Sequence, residues 1–145
     1  MSRKNILIVD DEACFTRMVK LNLECNGGYS VTEVNHASDA IPVARRTKPD
    51  LILLDVIMPG MDGGELASRL RNDPGLSQIP MLFLTATISP TEAGRKGFCS
   101  GGFVFLAKPV ALDDLLACIE LRLAGADLFR TPAVLDREST SRVAA

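Results

Sequence analysis

The chain has 145 residues, 47% of them hydrophobic and 23% charged, and its formal net charge is -2 at pH 7. This length fits one domain with a single core, and the balanced charge gives no indication of a nucleic-acid-binding or membrane-binding surface. The first apolar run, residues 4–9, is too short for a secretion signal or a membrane span.

The cysteines are scattered along the chain, with no C-x-x-C pair and no flanking histidine. This spacing does not indicate a metal site. We therefore expect buried or half-buried, reduced thiols in a cytoplasmic protein. The residues concerned are Cys14, Cys25, Cys99 and Cys118.

Strand-like and helix-like apolar patterns alternate from the start of the chain. A strand over residues 4–9 leads into a helix over 12–25. Two rows of apolar residues in that helix are expected to form one broad face, namely Phe15, Val19 and Leu23, and Cys14, Met18, Leu21 and Cys25. The second strand, over 29–34, alternates as suits a sheet edge, and Ser38 can cap a short second helix that Pro42 weakens.

The second half of the chain continues the same alternation. A wholly apolar third strand over 50–54 is followed by D-G-G-E at 62–65, a capping box that opens a helix to Asn72. A fourth strand over 80–84 precedes S-P-T-E at 89–92, which opens a fourth helix that Gly94 and Gly97 make weak. Gly101 and Gly102 turn into a fifth strand over 103–106, and the last helix covers 112–123.

Five strand–helix units with mostly continuous apolar strands predict an α/β fold, a doubly wound parallel sheet covered on both faces. The domain is expected to comprise residues 1–124, because residues 125–145 are mostly polar and lack a clear periodicity. We interpret 125–145 as a C-terminal tail or a short docking segment. In such sheets, ligands bind outside the carboxyl ends of the strands.

Polar residues follow the predicted strands at that edge. Asp10 and Asp11 follow the first strand, Asp55 the third, Thr85 the fourth and Lys108 the fifth. Carboxylates that converge on one small edge repel one another unless a cation intervenes, and Mg²⁺ suits a site with few carboxylates and a phosphate. A carboxylate nucleophile, a metal, a lysine and a hydroxyl together predict a phosphoryl-transfer site.

Four motifs in this order resemble the response-regulator receiver domains of two-component signalling, the CheY-like family. They are I-L-I-V-D-D-E, L-I-L-L-D-V-I-M-P-G-M-D-G, L-F-L-T-A and F-L-A-K-P, and the match covers residues 4 to about 124. The resemblance implies a flavodoxin-like (βα)5 fold with strand order 2-1-3-4-5. The apolar pattern predicts the units of the sheet, whereas their order comes from the resemblance alone.

The resemblance also implies a role for each residue of the site. Asp55 is the phosphoacceptor, and Asp10, Asp11, Asp55 and the main-chain carbonyl of Ile57 hold Mg²⁺, with Mn²⁺ as a possible substitute. Thr85 and Lys108 contact the phosphoryl oxygens, and Thr85 and Phe105 form the switch. Phe105 stands where the family often has Tyr, so this position is expected to act by packing alone. Pro59, Gly60 and Gly63 are expected to shape the loop after Asp55.

The implied partners are a histidine kinase or a histidine phosphotransfer protein and an unknown output protein. The output surface would consist of the fourth helix, the fifth strand and the last helix. We expect no direct nucleic-acid contact, no membrane contact and a monomer or weak dimer. The domain would not be an enzyme beyond catalysing its own phosphorylation and dephosphorylation.

Three other classes fit the sequence less well. A flavodoxin-like or nucleotide-binding module would have a Gly-rich or Ser/Thr-rich phosphate loop after the first strand, where this chain has acids. A haloacid-dehalogenase-type phosphatase would have a second Asp at the position of Ile57. A degenerate receiver that acts only as an interaction module, independently of phosphorylation, is disfavoured by the complete set of Asp10, Asp11, Asp55, Thr85 and Lys108.

Overall fold

The computed structural model describes residues 3–56, 63–85, 98–100, 103–108 and 110–124. The strands are β1 (Asn5–Val9), β2 (Ser30–Val34), β3 (Leu51–Asp55), β4 (Met81–Thr85), β5 (Phe98–Ser100) and β6 (Phe103–Ala107). The described helices are α1 (Ala13–Asn26), α2 (Ala37–Thr47), α3 (Gly63–Asn72) and α4 (Leu112–Leu123). Within these ranges, no helix has both the length and the apolar character needed to cross a membrane.

The strands form one sheet in the order β2-β1-β3-β4-β6-β5. The first five strands in this order are parallel neighbours, which confirms the predicted order 2-1-3-4-5. The short strand β5 was not predicted. It pairs antiparallel with β6, with Phe98 opposite Phe105. Three residues are too few to show a recognisable alternation, and their pairing depends on the free edge of β6.

Both faces of the sheet are buried, because side chains alternate along each strand. In β1, Ile6 and Ile8 contribute to a core under α1 and α4, whereas Leu7 and Val9 contribute to a second core under α2 and α3. This double burial explains why β1, β3 and β4 are continuously apolar.

Helix α1 buries only one of its two predicted apolar rows. Val19 and Leu23 are buried, but Met18 and Leu21 are each 52% exposed, and Cys14 and Cys25 are also exposed. The prediction of one broad face, and of buried or half-buried thiols at positions 14 and 25, was therefore wrong. At 3.6 residues per turn the centres of the two rows lie about 130° apart around the helix, so the row that faces the sheet leaves the other exposed. Cys118 in α4 is buried, as expected.

Helix α2 begins one residue before the predicted cap. His36 occupies the cap position in an extended conformation, without a side-chain cap hydrogen bond, and Ser38 lies inside the helix. The prediction that Ser38 caps this helix was wrong. Pro42 lies inside α2, which nevertheless continues to Thr47. The fourth helix predicted from Ser89 and the tail over 125–145 lie outside the described residues.

Strand β2 forms the edge of the sheet, as its alternation predicted. The ammonium group of Lys20 donates to the carbonyl oxygen of Val31 at 2.7 Å, and the amide of Val31 donates to Glu24 at 3.1 Å. Lys20 also donates to Glu24 at 2.9 Å, and this hydrogen bond holds the pKa of Glu24 below its usual value. Side chains of α1 thus satisfy main-chain groups that an edge strand would otherwise offer to another chain.

Candidate functional site

The carboxyl ends of four parallel strands position the polar residues of the site. Asp10 directly follows β1, Asp55 and Thr85 end β3 and β4, and Lys108 directly follows β6. Together with Asp11, the two buried aspartates form a cluster in which one carboxylate oxygen from each residue lies within 4.8 Å of the others. The structure therefore brings together the acids that the sequence places at separate strand ends.

Asp10 is the most deeply buried acid of the cluster, and it is only 1% exposed. Its Oδ1 accepts a hydrogen bond from the amide of Glu12 at 2.9 Å, and its Oδ2 accepts from Nζ of Lys108 at 2.5 Å. Its own amide donates to the carbonyl oxygen of Val34 at 3.0 Å. Asp11, by contrast, is exposed. The cluster consequently has a fixed inner acid and an outer acid at the surface.

Asp55 lies near Asp10, Asp11 and Lys108, at the end of the fully buried strand β3. It is 8% exposed. Its Oδ1 is 3.6 Å from Nζ of Lys108. The carboxylate of Asp55 is therefore almost buried and lies within ion-pair distance of the same lysine that bonds Asp10.

Lys108 is the cation within this group of acids. Its Nζ lies 3.6 Å from Oε1 of Glu12. It also lies 4.3 Å from the centre of the Phe15 ring, and this cation–π contact further stabilises the ammonium group. Burial works to lower the pKa of Lys108, but the hydrogen bond with Asp10 and the charges of Asp10, Asp55 and Glu12 outweigh it and raise this pKa. Lys108 is therefore charged at neutral pH.

The charges of the cluster do not balance. Three carboxylates, with Glu12 beside them, face one lysine within the described part of the chain. Like charges this close favour the binding of a cation, and an all-oxygen donor set with few protein ligands suits Mg²⁺ or Mn²⁺. The residues present therefore fit a hard divalent cation. The predicted fourth protein ligand, the main-chain carbonyl of Ile57, lies outside the described residues.

Thr85 and Phe105 connect the site to the interior of the sheet. Thr85 is 2% exposed, and its carbonyl oxygen accepts a hydrogen bond from the amide of Lys108 at 2.8 Å. Phe105 is opposite Phe83 in the β4–β6 register, and the two rings stack with centres 5.0 Å apart. Strand β6, which leads to Lys108, is thereby linked to the end of β4 through both main chain and side chains.

The start of α3 packs against the main chain of Asp55 without space for a side chain at Gly63. The amide of Gly63 donates to the carbonyl oxygen of Val56 at 2.6 Å. A Cβ atom at this position would lie 2.9 Å from Cα of Val56, and closer still to the carbonyl oxygen of Asp55. Because Gly63 has no Cβ atom, the start of α3 can lie in direct contact with the main chain of Asp55 and Val56.

Replacing Gly63 by Ala should lower the free energy of unfolding by about 1–3 kcal/mol, since the added methyl group must displace main-chain atoms. Urea unfolding followed by circular dichroism measures this change. Gly64→Ala, at the next and exposed position of α3, is the matched control and should be neutral or stabilise by up to about 1 kcal/mol. Equal midpoints for Gly63→Ala and the wild type would contradict the close approach.

Two residues at the site were not identified from the sequence. Phe15 was assigned to the core side of α1, although its ring also contacts the ammonium of Lys108. Asn35 directly follows β2, and its Nδ2 donates to the carbonyl oxygen of Asp10 at 2.8 Å. The rule that polar residues after strand ends mark the site would have identified Asn35, had it been applied to the edge strand as well.

Comparison with known proteins gives one consistent result. The family model described as the response regulator receiver domain matches residues 6–120. Protein PilH of Pseudomonas aeruginosa is 36% identical over 124 residues, which cover 83% of this chain and 98% of PilH. The DNA-binding dual master transcriptional regulator RpaA of Synechocystis sp. is 35% identical over 84% of this chain.

Among solved structures, the chemotaxis response regulator CheY4 of Vibrio cholerae superimposes with a TM-score of 0.70 at 30% identity, covering 84% of this chain and 99% of CheY4. The chain spans about half the length of several curated relatives that it matches, RpaA included.

Proposed function

Because the chain belongs to the response regulator receiver family of two-component signalling, we propose that Asp55 accepts a phosphoryl group from a histidine kinase or a histidine phosphotransfer protein. The observation that carries this proposal is the convergence of Asp10, Asp11 and Asp55 with Lys108 at one edge of the sheet. The domain is a signalling domain whose only chemistry is its own phosphorylation and dephosphorylation.

Asp55 is the nucleophile of the transfer. One of its carboxylate oxygens forms a bond to phosphorus, while the bond between phosphorus and the donor's histidine nitrogen breaks. The electron pair of the broken bond stays on the imidazole, which takes up a proton. Asp10 is a poorer candidate, because it is only 1% exposed against 8% for Asp55 and therefore offers less access to a phosphoryl donor.

Lys108 and Thr85 serve the phosphoryl oxygens. Nζ of Lys108, 3.6 Å from Oδ1 of Asp55, is near enough to bond an oxygen of a group attached to that carboxylate. Thr85 supplies a hydroxyl from the end of the neighbouring strand β4. Charge-assisted hydrogen bonds of this kind stabilise the oxygens as the group is transferred.

Asp10, Asp11 and Asp55, with the main-chain carbonyl of Ile57, would hold Mg²⁺ or Mn²⁺. When bound, the metal neutralises oxygen charge that Lys108 alone does not balance. The three carboxylates supply a hard, all-oxygen donor set, which is the support for this assignment.

The signal leaves through a surface formed by three elements. They are the predicted fourth helix, which starts at Ser89, strand β6, and the last helix of the domain, α4 (Leu112–Leu123). New bonds to the phosphoryl group draw Thr85 toward the site. The ring of Phe105, which stacks on Phe83 in this structure, then changes its packing on that face of the sheet. Phe105 has no hydroxyl, so this switch position works by packing.

The predicted fourth helix should change its hydrogen exchange on activation, because a glycine such as Gly94 destabilises a helix interior by about 1 kcal/mol relative to Ala. Gly97, which the sequence pattern also placed in this helix, directly precedes strand β5 and is not an interior position. The measurement is amide exchange over residues 89–102, with and without the phosphate mimic beryllofluoride. Thr85→Ala should reduce the change, while Thr85→Ser, which keeps the hydroxyl, should preserve it. Identical exchange in both states, with Asp55 demonstrably occupied, would mean that the output surface lies elsewhere.

The receiver domain comprises residues 1–124, and residues 125–145 form a C-terminal tail or short docking segment. The protein acts in the cytoplasm as a monomer or weak dimer, and its output is contact with another protein rather than direct contact with nucleic acid or membrane.

Incubation with acetyl phosphate and Mg²⁺ tests the function directly. Intact-mass spectrometry should detect one phosphoryl group per chain. A chain that stays unmodified with acetyl phosphate and with several phosphorylated histidine donors would instead favour an interaction module independent of phosphorylation.

A further inference from the structure

Asn35 connects the end of the edge strand β2 to the loop that carries Asp10 and Asp11. Its side chain is partly buried, and Nδ2 donates to the carbonyl oxygen of Asp10 at 2.8 Å and to Oγ1 of Thr16 at 2.9 Å. Both protons of the amide are therefore used. The two residues it joins, Asp10 and Thr16, flank the turn from β1 into α1 on both sides.

Further contacts fix the direction of the Asn35 amide. Thr16 is fully buried, and its hydroxyl lies 2.8 Å from Oε1 of Glu33 and 3.1 Å from the carbonyl oxygen of Ala13, so its single proton goes to one of these acceptors. The oxygen of Thr16 then accepts from Asn35. Glu33 is held in turn by Nε of Arg17 at 3.1 Å. With the Asp10 carbonyl and the Thr16 oxygen as acceptors, only the NH2 group of Asn35 can face them.

The hydrogen bond from Asn35 acts on the peptide unit that links Asp10 to Asp11. A peptide unit is planar, so the carbonyl oxygen of Asp10 and the Cα atom of Asp11 belong to one rigid plane. Within the described part of the chain, no residue bonds to the carboxylate of Asp11, which is exposed. The orientation of Asp11 therefore depends on its main chain, and the carbonyl of that plane is held by Asn35.

We infer that Asn35 is a positioning residue for the divalent-cation site. It holds the peptide between Asp10 and Asp11 and thereby sets the affinity of the acidic cluster for the metal, without contacting metal or phosphoryl group itself. Thr16 and Glu33 keep the Asn35 amide in this orientation. The inference rests on the proposed function, since it takes the cluster to be a Mg²⁺ site.

Asn35→Ala should raise the dissociation constant for Mg²⁺ about tenfold, as the loss of outer-sphere hydrogen bonds does at other metal sites. The rate of modification by acetyl phosphate should show a raised half-saturating Mg²⁺ concentration and an unchanged rate at saturating Mg²⁺. In metal-free protein, the amide of Glu12, which donates to Oδ1 of Asp10, should exchange faster. Magnetic resonance titration, rate measurements and hydrogen exchange report these three effects.

Asn26→Ala is the matched control, because the Asn26 amide also donates to a main-chain carbonyl, that of Asn22, but lies at the far end of α1. It should leave all three measurements unchanged. Thr16→Val should reproduce the effect of Asn35→Ala in weaker form, since it removes the oxygen that orients the amide, and Thr16→Ser should restore wild-type affinity. If Asn35→Ala fails to fold, the comparison of Thr16→Val with Thr16→Ser tests the inference in its place.

An unchanged Mg²⁺ dissociation constant and unchanged exchange in folded Asn35→Ala would overturn the inference, and so would equal affinities of Thr16→Val and Thr16→Ser. A purely structural role would lower the melting temperature and leave the affinity of the folded protein as it is. Failure of the proposed function is distinguishable, because it would appear in the wild type as an absence of Mg²⁺ binding.

Discussion

Asp55→Asn should reduce labelling by acetyl phosphate to background and leave the fold intact. The amide has nearly the shape of the carboxylate but lacks the anionic oxygen that attacks phosphorus. The substitution also removes one of three clustered like charges, so it lowers the repulsion within the cluster and should not prevent folding. Intact-mass spectrometry measures the labelling, and circular dichroism with thermal unfolding checks the fold.

Asp50→Asn supplies the matched control, because Asp50 directly precedes the same strand β3. Oδ2 of Asp50 accepts a hydrogen bond from the amide of Asn5 at 2.7 Å, and the oxygen of an asparagine can accept in its place. This variant should be labelled as fast as the wild type. Undiminished labelling of a folded Asp55→Asn variant would assign the nucleophile to another residue.

Removal of divalent metal by EDTA should stop phosphorylation, and Asp11→Asn should raise the Mg²⁺ concentration needed for half-maximal labelling about tenfold or more. Lys108 carries a single positive charge, and Asp10, Asp55 and Glu12 all lie within ion-pair distance of it. One lysine does not neutralise three carboxylates and an incoming phosphoryl group, so we expect the proposed transfer to require a further cation.

A second measurement tests the metal independently of labelling. Mg²⁺ should raise the melting temperature of the wild type, because a ligand that binds only the folded state stabilises it by mass action and relieves repulsion in the cluster. Asp11→Asn should lose most of this increase. Asp39→Asn, which changes an exposed acid in the first turn of α2, should keep it. Full labelling in excess EDTA would contradict the metal requirement.

The fold was predictable because its strands are buried on both faces. Continuous apolar runs such as Leu51 to Leu54 occur when both sides of a strand face a core, and they alternate with helical patterns at the spacing of strand–helix units. The strand β5 was not predictable in this way, because a three-residue strand has no periodicity of its own and forms only where β6 offers an edge.

The apolar face of α1 shows a different limit. Met18 and Leu21 have the same three-to-four-residue spacing as Val19 and Leu23, yet they point away from the sheet. Spacing alone identifies a row of residues and does not tell which row faces the core. Converting the spacing into angles at 3.6 residues per turn separates the two rows.

The acidic cluster was predictable because parallel strands carry their carboxyl ends to one edge of the sheet, and Asp10, Asp11 and Asp55 follow directly from that rule. The hydrogen bonds around the cluster were not predictable from the sequence. The contact between Asn35 and Asp10 joins residues 25 positions apart and depends on the register of β1 with β2, which no local pattern encodes.

The most direct test of the phosphoacceptor assignment is to locate the modified residue. Borohydride reduces an aspartyl phosphate to homoserine, which is stable during proteolysis and is identified by peptide sequencing in a mass spectrometer. After reaction with acetyl phosphate and Mg²⁺, homoserine should appear at position 55 and nowhere else. Homoserine at position 10 or 11, or its absence from a chain that has demonstrably gained a phosphoryl group, would contradict the assignment of Asp55.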